Sequence, residues 1–133
     1  MARVLVVEDD LMIANMLEMI LQHEQHTVLL AGDGMRGVEL ATQEHPDVIL
    51  MDIMLPKLSG LDAARTIRQS DDPQLAETPI VAMSAGANLR NVADAGCFNS
   101  VLPKPFDIDT VIAVVQLHAP EPAVQGGKSN GLA

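Results

Sequence analysis

Tryptophan and tyrosine are absent from this 133-residue chain, and its only aromatic residues are Phe98 and Phe106. The interior must therefore be aliphatic, and base-stacking surfaces for single-stranded nucleic acid are not expected. Basic residues are scarce, eight against eighteen acidic ones, for a net charge of −10. A chain of that sign lacks the basic face that phosphate-backbone binding requires, so direct nucleic-acid recognition is not expected. One cysteine, Cys97, excludes an internal disulfide and a cysteine-based zinc site. Its expected role is that of a small buried apolar residue. No apolar run approaches the ~18 residues of a membrane span, and no signal-peptide pattern opens the chain. A cytoplasmic domain without membrane contact is the expectation.

Hydrophobic residues make up 48% of the chain, eight of them Met, enough for one core. The apolar residues are organised in short unbroken runs. Arg3–Val7, Thr27–Ala31, Val48–Met51, Pro79–Met83 and Val101–Leu102 read as strands, and runs without alternation suit strands buried on both faces. Helical patterns separate them. One starts after Asp9 or Asp10 as cap and places Ile13, Leu17, Ile20 and Leu21 on one face. Others cover Met35–Glu44, a stretch from the Ser59 cap to Gln69, and a short weak segment over 88–95. Ile108, Val111, Ile112 and Val115 have i, i+3, i+4, i+7 spacing and mark the last helix. Asp71-Asp72-Pro73 reads as a loop. Residues 1–119 form the domain, and 120–133, rich in Pro and Gly, read as a flexible tail or linker.

Strands alternating with helices predict an α/β domain with a doubly wound five-stranded parallel sheet and five helices. Ligands of such sheets bind beyond the carboxyl ends of the strands, where the strand order reverses. The charges gather there. The first strand ends at Glu8-Asp9-Asp10, the third at Asp52, the fourth at Ser84, and the fifth just before Lys104. In the flavodoxin-like order 2-1-3-4-5, which is borrowed from known sheets and not read from these residues, the first and third strands are neighbours. Glu8, Asp9 and Asp52 would then meet, with Ser84 and Lys104 approaching from the other side. Three close carboxylates repel, and a hard divalent cation such as Mg²⁺ is the natural counter-charge. An aspartate can also accept a phosphoryl group, a reaction that depends mainly on positioning and charge neutralisation.

Four motifs in this order carry a resemblance: Val4-Leu5-Val6-Val7-Glu8-Asp9-Asp10, Pro46-Asp47-Val48-Ile49-Leu50-Met51-Asp52 with Pro56 and Gly60 after it, Met83-Ser84-Ala85, and Lys104-Pro105-Phe106. Over about residues 2–118 the chain resembles a receiver domain of the response-regulator family of bacterial two-component and phosphorelay signalling. The resemblance implies that Asp52 is the phosphoacceptor. It implies that Asp9 and Asp52 bind Mg²⁺ directly, with Glu8 acting through a water and Met54 lending its backbone carbonyl. Lys104 and Ser84 would hold the phosphoryl group, beside a small Ala85 that leaves it room. Ser84 would move on activation. At the position of the family's strand-five switch aromatic stands Val101, and whether Phe98 substitutes for it is left open by the sequence.

The implied partners are a histidine kinase or histidine phosphotransfer protein as donor, and an output protein or fused effector domain downstream. A homodimer through the last helix is left open. The implied chemistry is a switch that catalyses only its own phosphorylation and slow dephosphorylation. A phosphatase using an aspartyl nucleophile would want an acid two residues after Asp52, where Met54 stands. A second apolar stripe on the first helix, Met12, Met16 and Met19, has two readings. One is packing against the last helix. The other is a docking face for a partner, since methionine surfaces adapt well.

Overall fold

A computed structural model of the protein describes residues 1–86, 92 and 95–120. The unbroken apolar runs do form strands: β1 (Arg3–Val7), β2 (Thr27–Ala31), β3 (Val48–Asp52), β4 (Ile80–Ala85) and β5 (Ser100–Lys104). All pair in parallel in the order β2-β1-β3-β4-β5. Their burial reflects this order. Every residue of central β3 is buried, whereas edge strand β2 buries only Ala31 fully. Both faces of the sheet are covered, which is why the runs do not alternate with polar residues.

Among the described residues the helices with full bounds are α1 (Leu11–His23), α2 (Gly34–Glu44), α3 (Gly60–Arg68), α4 (Pro73–Ala76) and α5 (Ile108–His118). Each start is capped by the side chain just before it: Asp10, Asp33, Ser59, Asp72 and Asp107 all accept backbone N–H groups of the first turn. Asp71-Asp72-Pro73, expected as a loop, instead opens the one-turn α4. Asp72 caps it, and Pro73 occupies the first helical position, where its missing N–H costs nothing. The short helix expected over 88–95 lies, apart from Val92 and Ala95, outside the described residues. So does the expected tail beyond Pro120.

Strand alternation divides the core in two. Leu5, Val7, Ile49, Met51 and Ile80 point to one face and pack with Leu40 and Ala41 of α2 and Ala63, Ala64 and Ile67 of α3. Val4, Val6, Val48, Leu50, Val81, Met83 and Leu102 point to the other and pack with Leu17 and Leu21 of α1 and Val111 and Val115 of α5. Burial of each such aliphatic side chain contributes roughly 1.5–3 kcal/mol. Cys97 is buried on the α2/α3 side, the apolar role expected for it.

Two close approaches fix the loop between β3 and α3. A Cβ on Gly60 would stand 2.0 Å from the Asp52 carbonyl oxygen, and one on Gly34 would stand 1.9 Å from that of Leu58. The starts of α3 and α2 are thus pressed onto the backbone on either side of the loop. Gly60 also donates its N–H to the Ile53 carbonyl at 3.0 Å.

The opposite end of the sheet is tied by a half-buried guanidinium. Arg68 donates to the carbonyls of Cys97 (3.0 Å), Ala76 (2.9 Å) and Thr78 (2.7 Å) and to Asn99 Oδ1 (2.7 Å). Asn99 Oδ1 also accepts the Ile80 N–H at 2.8 Å. Burial holds the Arg68 pKa below the ordinary arginine value. Near the start of β1, His26 is buried and its Nδ1 accepts the Ala2 N–H at 3.0 Å, so the neutral ring is the form that fits.

This packing can be tested at two places. Gly60→Ala forces backbone to shift and is expected to lose about 1–3 kcal/mol in urea unfolding. Gly86→Ala, with nothing within 4 Å of the new methyl, is expected to stay within about 0.5 kcal/mol of the parent. The second place is His26, whose pKa is lowered by burial and by the nearby terminal amine, partly opposed by Glu24. Because the unfolded chain takes up the proton first, this contribution to stability is complete above the ordinary imidazole range, about 6.5. It is lost as pH falls through that range towards the lower folded value. His26→Gln should flatten the decline in unfolding free energy between about pH 7 and 5, and an unchanged slope would contradict this.

Candidate functional site

The face pattern of the strands extends past their ends. Glu8 continues the row Val4, Val6; Asp52 continues Val48, Leu50; Lys104 continues the position of Leu102. Three charged side chains are therefore the terminal members of apolar rows that share the α1/α5 face. They meet at the carboxyl edge of the sheet, where β1 and β3 lie side by side and their connections run to opposite faces. This is the crevice position expected for a doubly wound sheet.

Lys104 Nζ bridges the two buried acids, at 2.9 Å from Glu8 Oε1 and 3.1 Å from Asp52 Oδ2. Glu8 is 2% exposed and Asp52 5%. The second oxygen of each carboxylate is held by the backbone two residues later. Glu8 Oε2 accepts the Asp10 N–H at 3.3 Å, and Asp52 Oδ1 accepts the Met54 N–H at 3.2 Å. Asp9, exposed, completes the group: oxygens of Glu8, Asp9 and Asp52 lie within 4.8 Å of one another. Asp10 stands apart, with Oδ1 accepting the N–H groups of Met12 and Ile13 as the α1 cap.

Three carboxylates facing one ammonium leave excess negative charge in a partly desolvated place. Burial, then the hydrogen bond and charge of Asp52, push the Glu8 pKa up to about 7, with Lys104 opposing. Burial alone would lower the Lys104 pKa, but its bonds to Glu8 and Asp52 outweigh that and hold it above the ordinary lysine value. A hard divalent cation matches this donor set. All ligands are carboxylate oxygens, and the charge deficit has the right sign.

The other expected residues surround this centre at varying distance. Ser84 is buried at the end of β4, and its hydroxyl donates to the Ala85 carbonyl at 3.1 Å, not to the acids. Ala85 is exposed and stands in register with Lys104. The Met54 side chain is 70% exposed while its N–H is engaged by Asp52. Val101 is half-buried opposite Ala82. Phe98 does not take over from it. It precedes β5, at the end of the sheet away from Asp52, and packs on the α2/α3 side. Met12, Met16 and Met19 are 81%, 41% and 71% exposed, so the stripe is not buried against α5. Of the four histidines, His23 and His118 occupy the last turns of α1 and α5, and His45 ends α2 in the left-handed conformation. His26 is instead a core residue.

Sequence reasoning passed over Ile13, Pro105 and Phe106 as neighbours of this centre. With Met16 and Lys104 they line a cleft of about 340 Å³ between α1 and the segment after β5. The signal available was the apolar residue two positions after Lys104, with no strand or helix period to explain it.

Residues 4–116 match the family model described as "Response regulator receiver domain". "Response regulator ArlR" of Staphylococcus saprophyticus is 34% identical over 119 residues, which cover 87% of this chain and 51% of that protein. "Response regulator MprA" of Mycobacterium ulcerans is 35% identical over 114 residues, 84% of this chain and 47% of the relative. The chain thus spans about half the length of the curated relatives it matches. Among solved structures, the receiver domain of the sensor histidine kinase PA1611 from Pseudomonas aeruginosa, with magnesium coordinated in its active-site cleft, superposes with a TM-score of 0.80. It is 32% identical, covering 88% of this chain and 96% of that one. The chemotaxis response regulator CheY4 of Vibrio cholerae gives 0.79 at 28% identity, covering 88% and 98%.

Mg²⁺ at ten times its dissociation constant should stabilise the protein by about 1.4 kcal/mol against thermal unfolding. Asp9→Asn, which removes a repelling charge that Lys104 does not contact, should raise metal-free stability slightly and reduce the response to Mg²⁺. An undiminished Mg²⁺ response in the Asp9→Asn, Asp52→Asn double variant would place the ion elsewhere.

Proposed function

The chain belongs to the response regulator receiver domain family, and from that premise we propose that it is a phosphorylation-controlled switch whose phosphoacceptor is Asp52. The observation that carries the reading is the convergence of Glu8, Asp52 and Lys104 at 2.9 and 3.1 Å, with Asp9 beside them. Asp9, Asp52 and the Met54 carbonyl would hold Mg²⁺, with Glu8 acting through a water. When bound, the ion supplies positive charge against the phosphoryl oxygens.

The chain's own residues do the rest. A carboxylate oxygen of Asp52 attacks phosphorus of a phosphohistidine, the phosphorus–nitrogen bond breaks, and the imidazole leaves with the electron pair. Lys104, already within reach of Asp52, turns to a phosphoryl oxygen and offsets its charge. The Ser84 hydroxyl exchanges the Ala85 carbonyl for the phosphoryl group, and the small Ala85 side chain leaves it space. That exchange biases the β4–β5–α5 face between two arrangements and so changes what it binds. Val101, lacking a ring, can contribute only a small packing change. The phosphoryl group is later lost slowly to water, so the protein acts on itself and has no separate substrate.

The donor is a histidine kinase or histidine phosphotransfer protein. The output is a separate protein or a segment of a longer chain, in keeping with relatives about twice this length. The exposed stripe Met12, Met16, Met19 on α1, of which Met16 shares a cleft with Lys104, is the proposed docking face for the donor. No described helix is long and apolar enough to cross a membrane, which supports a cytoplasmic place of work.

Incubation with Mg²⁺ and acetyl phosphate is expected to add one phosphoryl group by intact mass, and Asp52→Asn to abolish the gain. No gain in the parent protein would leave only an interaction module. Turnover of unrelated phosphate esters would favour a phosphatase.

A further inference from the structure

The strand that carries Lys104 has little of its own to fix where it lies. β5 is an edge strand, paired with β4 alone. Parallel strands have no tight turn between them, so their register rests on the pattern of buried side chains. In β5 that pattern is thin. Leu102 is its only fully buried residue, whereas all five residues of β3 are buried. Pro103 adds no donor to the ladder. Yet Lys104 must reach two acids at the ends of other strands, at 2.9 and 3.1 Å.

The missing constraint lies at the opposite end of β5. Asn99 stands just before the strand and meets Ile80, the first residue of β4, twice. Its N–H donates to the Ile80 carbonyl at 2.8 Å, and its Oδ1 accepts the Ile80 N–H at 2.8 Å. The side-chain amide thus acts as an extra peptide group and closes the first rung. Arg68 donates to the same Oδ1 at 2.7 Å. Its other contacts are the carbonyls of Ala76 and Thr78, in the segment entering β4, and of Cys97, in the segment entering β5. One guanidinium therefore joins the entries of the two strands that carry Ser84 and Lys104 towards their far ends.

We propose that Asn99 and Arg68 are positioning residues for the acidic centre: they set the register of β5 on β4, and with it the reach of Lys104, roughly 16 Å along the strand, to Glu8 and Asp52. The effect on transfer rests on Asp52 being the phosphoacceptor, whereas the effect on the charge balance of the centre does not. When β5 loosens, the ammonium spends less time on the two carboxylates. They lose a competing counter-charge, and a divalent cation binds them more tightly. Phosphoryl transfer, which needs the ammonium in place, becomes slower. Damage that merely softens the fold would weaken both. Opposite movement of the two quantities is therefore the mark of a displaced Lys104.

The test compares the full chain with Asn99→Ala, Asn99→Asp and Arg68→Lys. Asn99→Ala removes the shared acceptor, and Asn99→Asp keeps an oxygen for both donors. Arg68→Lys keeps the charge but cannot span the four acceptors. Transfer is read as kcat/KM by intact mass, with acetyl phosphate and Mg²⁺. Affinity for Mg²⁺ alone is read from the NMR shift of the Met54 amide, which is bonded to Asp52. Asn99→Ala should lower kcat/KM about tenfold and raise Mg²⁺ affinity about threefold. Arg68→Lys should move both in the same directions by smaller factors, and it decides the matter if Asn99→Ala does not fold. Asn99→Asp should stay within about twofold of the parent in both. Mg²⁺ affinity that is unchanged or weaker in Asn99→Ala, or a kcat/KM equal to that of the parent, would overturn the proposal. If the parent itself gains no phosphoryl group, the reading of Asp52 fails, and the Mg²⁺ titration alone decides whether the pair positions Lys104.

Discussion

Two buried carboxylates, Glu8 and Asp52, share the ammonium of Lys104, and the carboxyl edge of the sheet is built around that bridge. Burying either acid without a counter-charge would cost several kcal/mol. The bridge removes part of that cost and leaves the rest, as the upward shift of Glu8 to about 7 records. The centre is thus held in a state of unmet demand for positive charge. The same deficit that makes it an uncomfortable interior makes it suited to a cation and a phosphoryl group arriving together.

The fold supplies the convergence by simple means. In a parallel sheet covered on both faces, side-chain rows alternate, and residues that close rows on the same face end near one another. Glu8, Asp52 and Lys104 each take the next position of an apolar row on the α1/α5 side. No special loop conformation is needed to gather them. The β3–α3 loop contributes only on the far side of Asp52. There Gly60 and Gly34 allow two helix starts to close on the backbone, and Met54 offers its N–H to the carboxylate.

Much of this was legible in the sequence. Runs such as Val48–Met51 announce a central strand because solvent never touches either side of it. Charges placed directly after such runs announce a crevice. What could not be read were relations set by distant packing. Asp72 looked like a loop residue because one-turn helices have no period to detect, and its cap on Pro73–Ala76 is visible only in three dimensions. Arg68 resembled any basic residue ending a helix, yet its partners are three carbonyls and Asn99, groups that every sequence offers and that only the tertiary fold brings to it. Phe98 and Val101 are three residues apart, but Phe98 falls before the strand and Val101 within it, so the ring does not take the place of Val101. The exposure of Met12, Met16 and Met19 was undecidable from spacing because the neighbouring helix covers one side of α1 and not the other.

The placement of Lys104 has a mechanical side. It ends β5, an edge strand hydrogen-bonded only to β4, whereas Glu8 and Asp52 end strands bonded on both sides. The anions are anchored in the stiffest part of the sheet, and the cation is carried on one of its two outermost ribs. A shift of that rib would move the positive charge relative to the negative ones. The bridge thus spans the boundary between the doubly paired interior of the sheet and its singly paired margin.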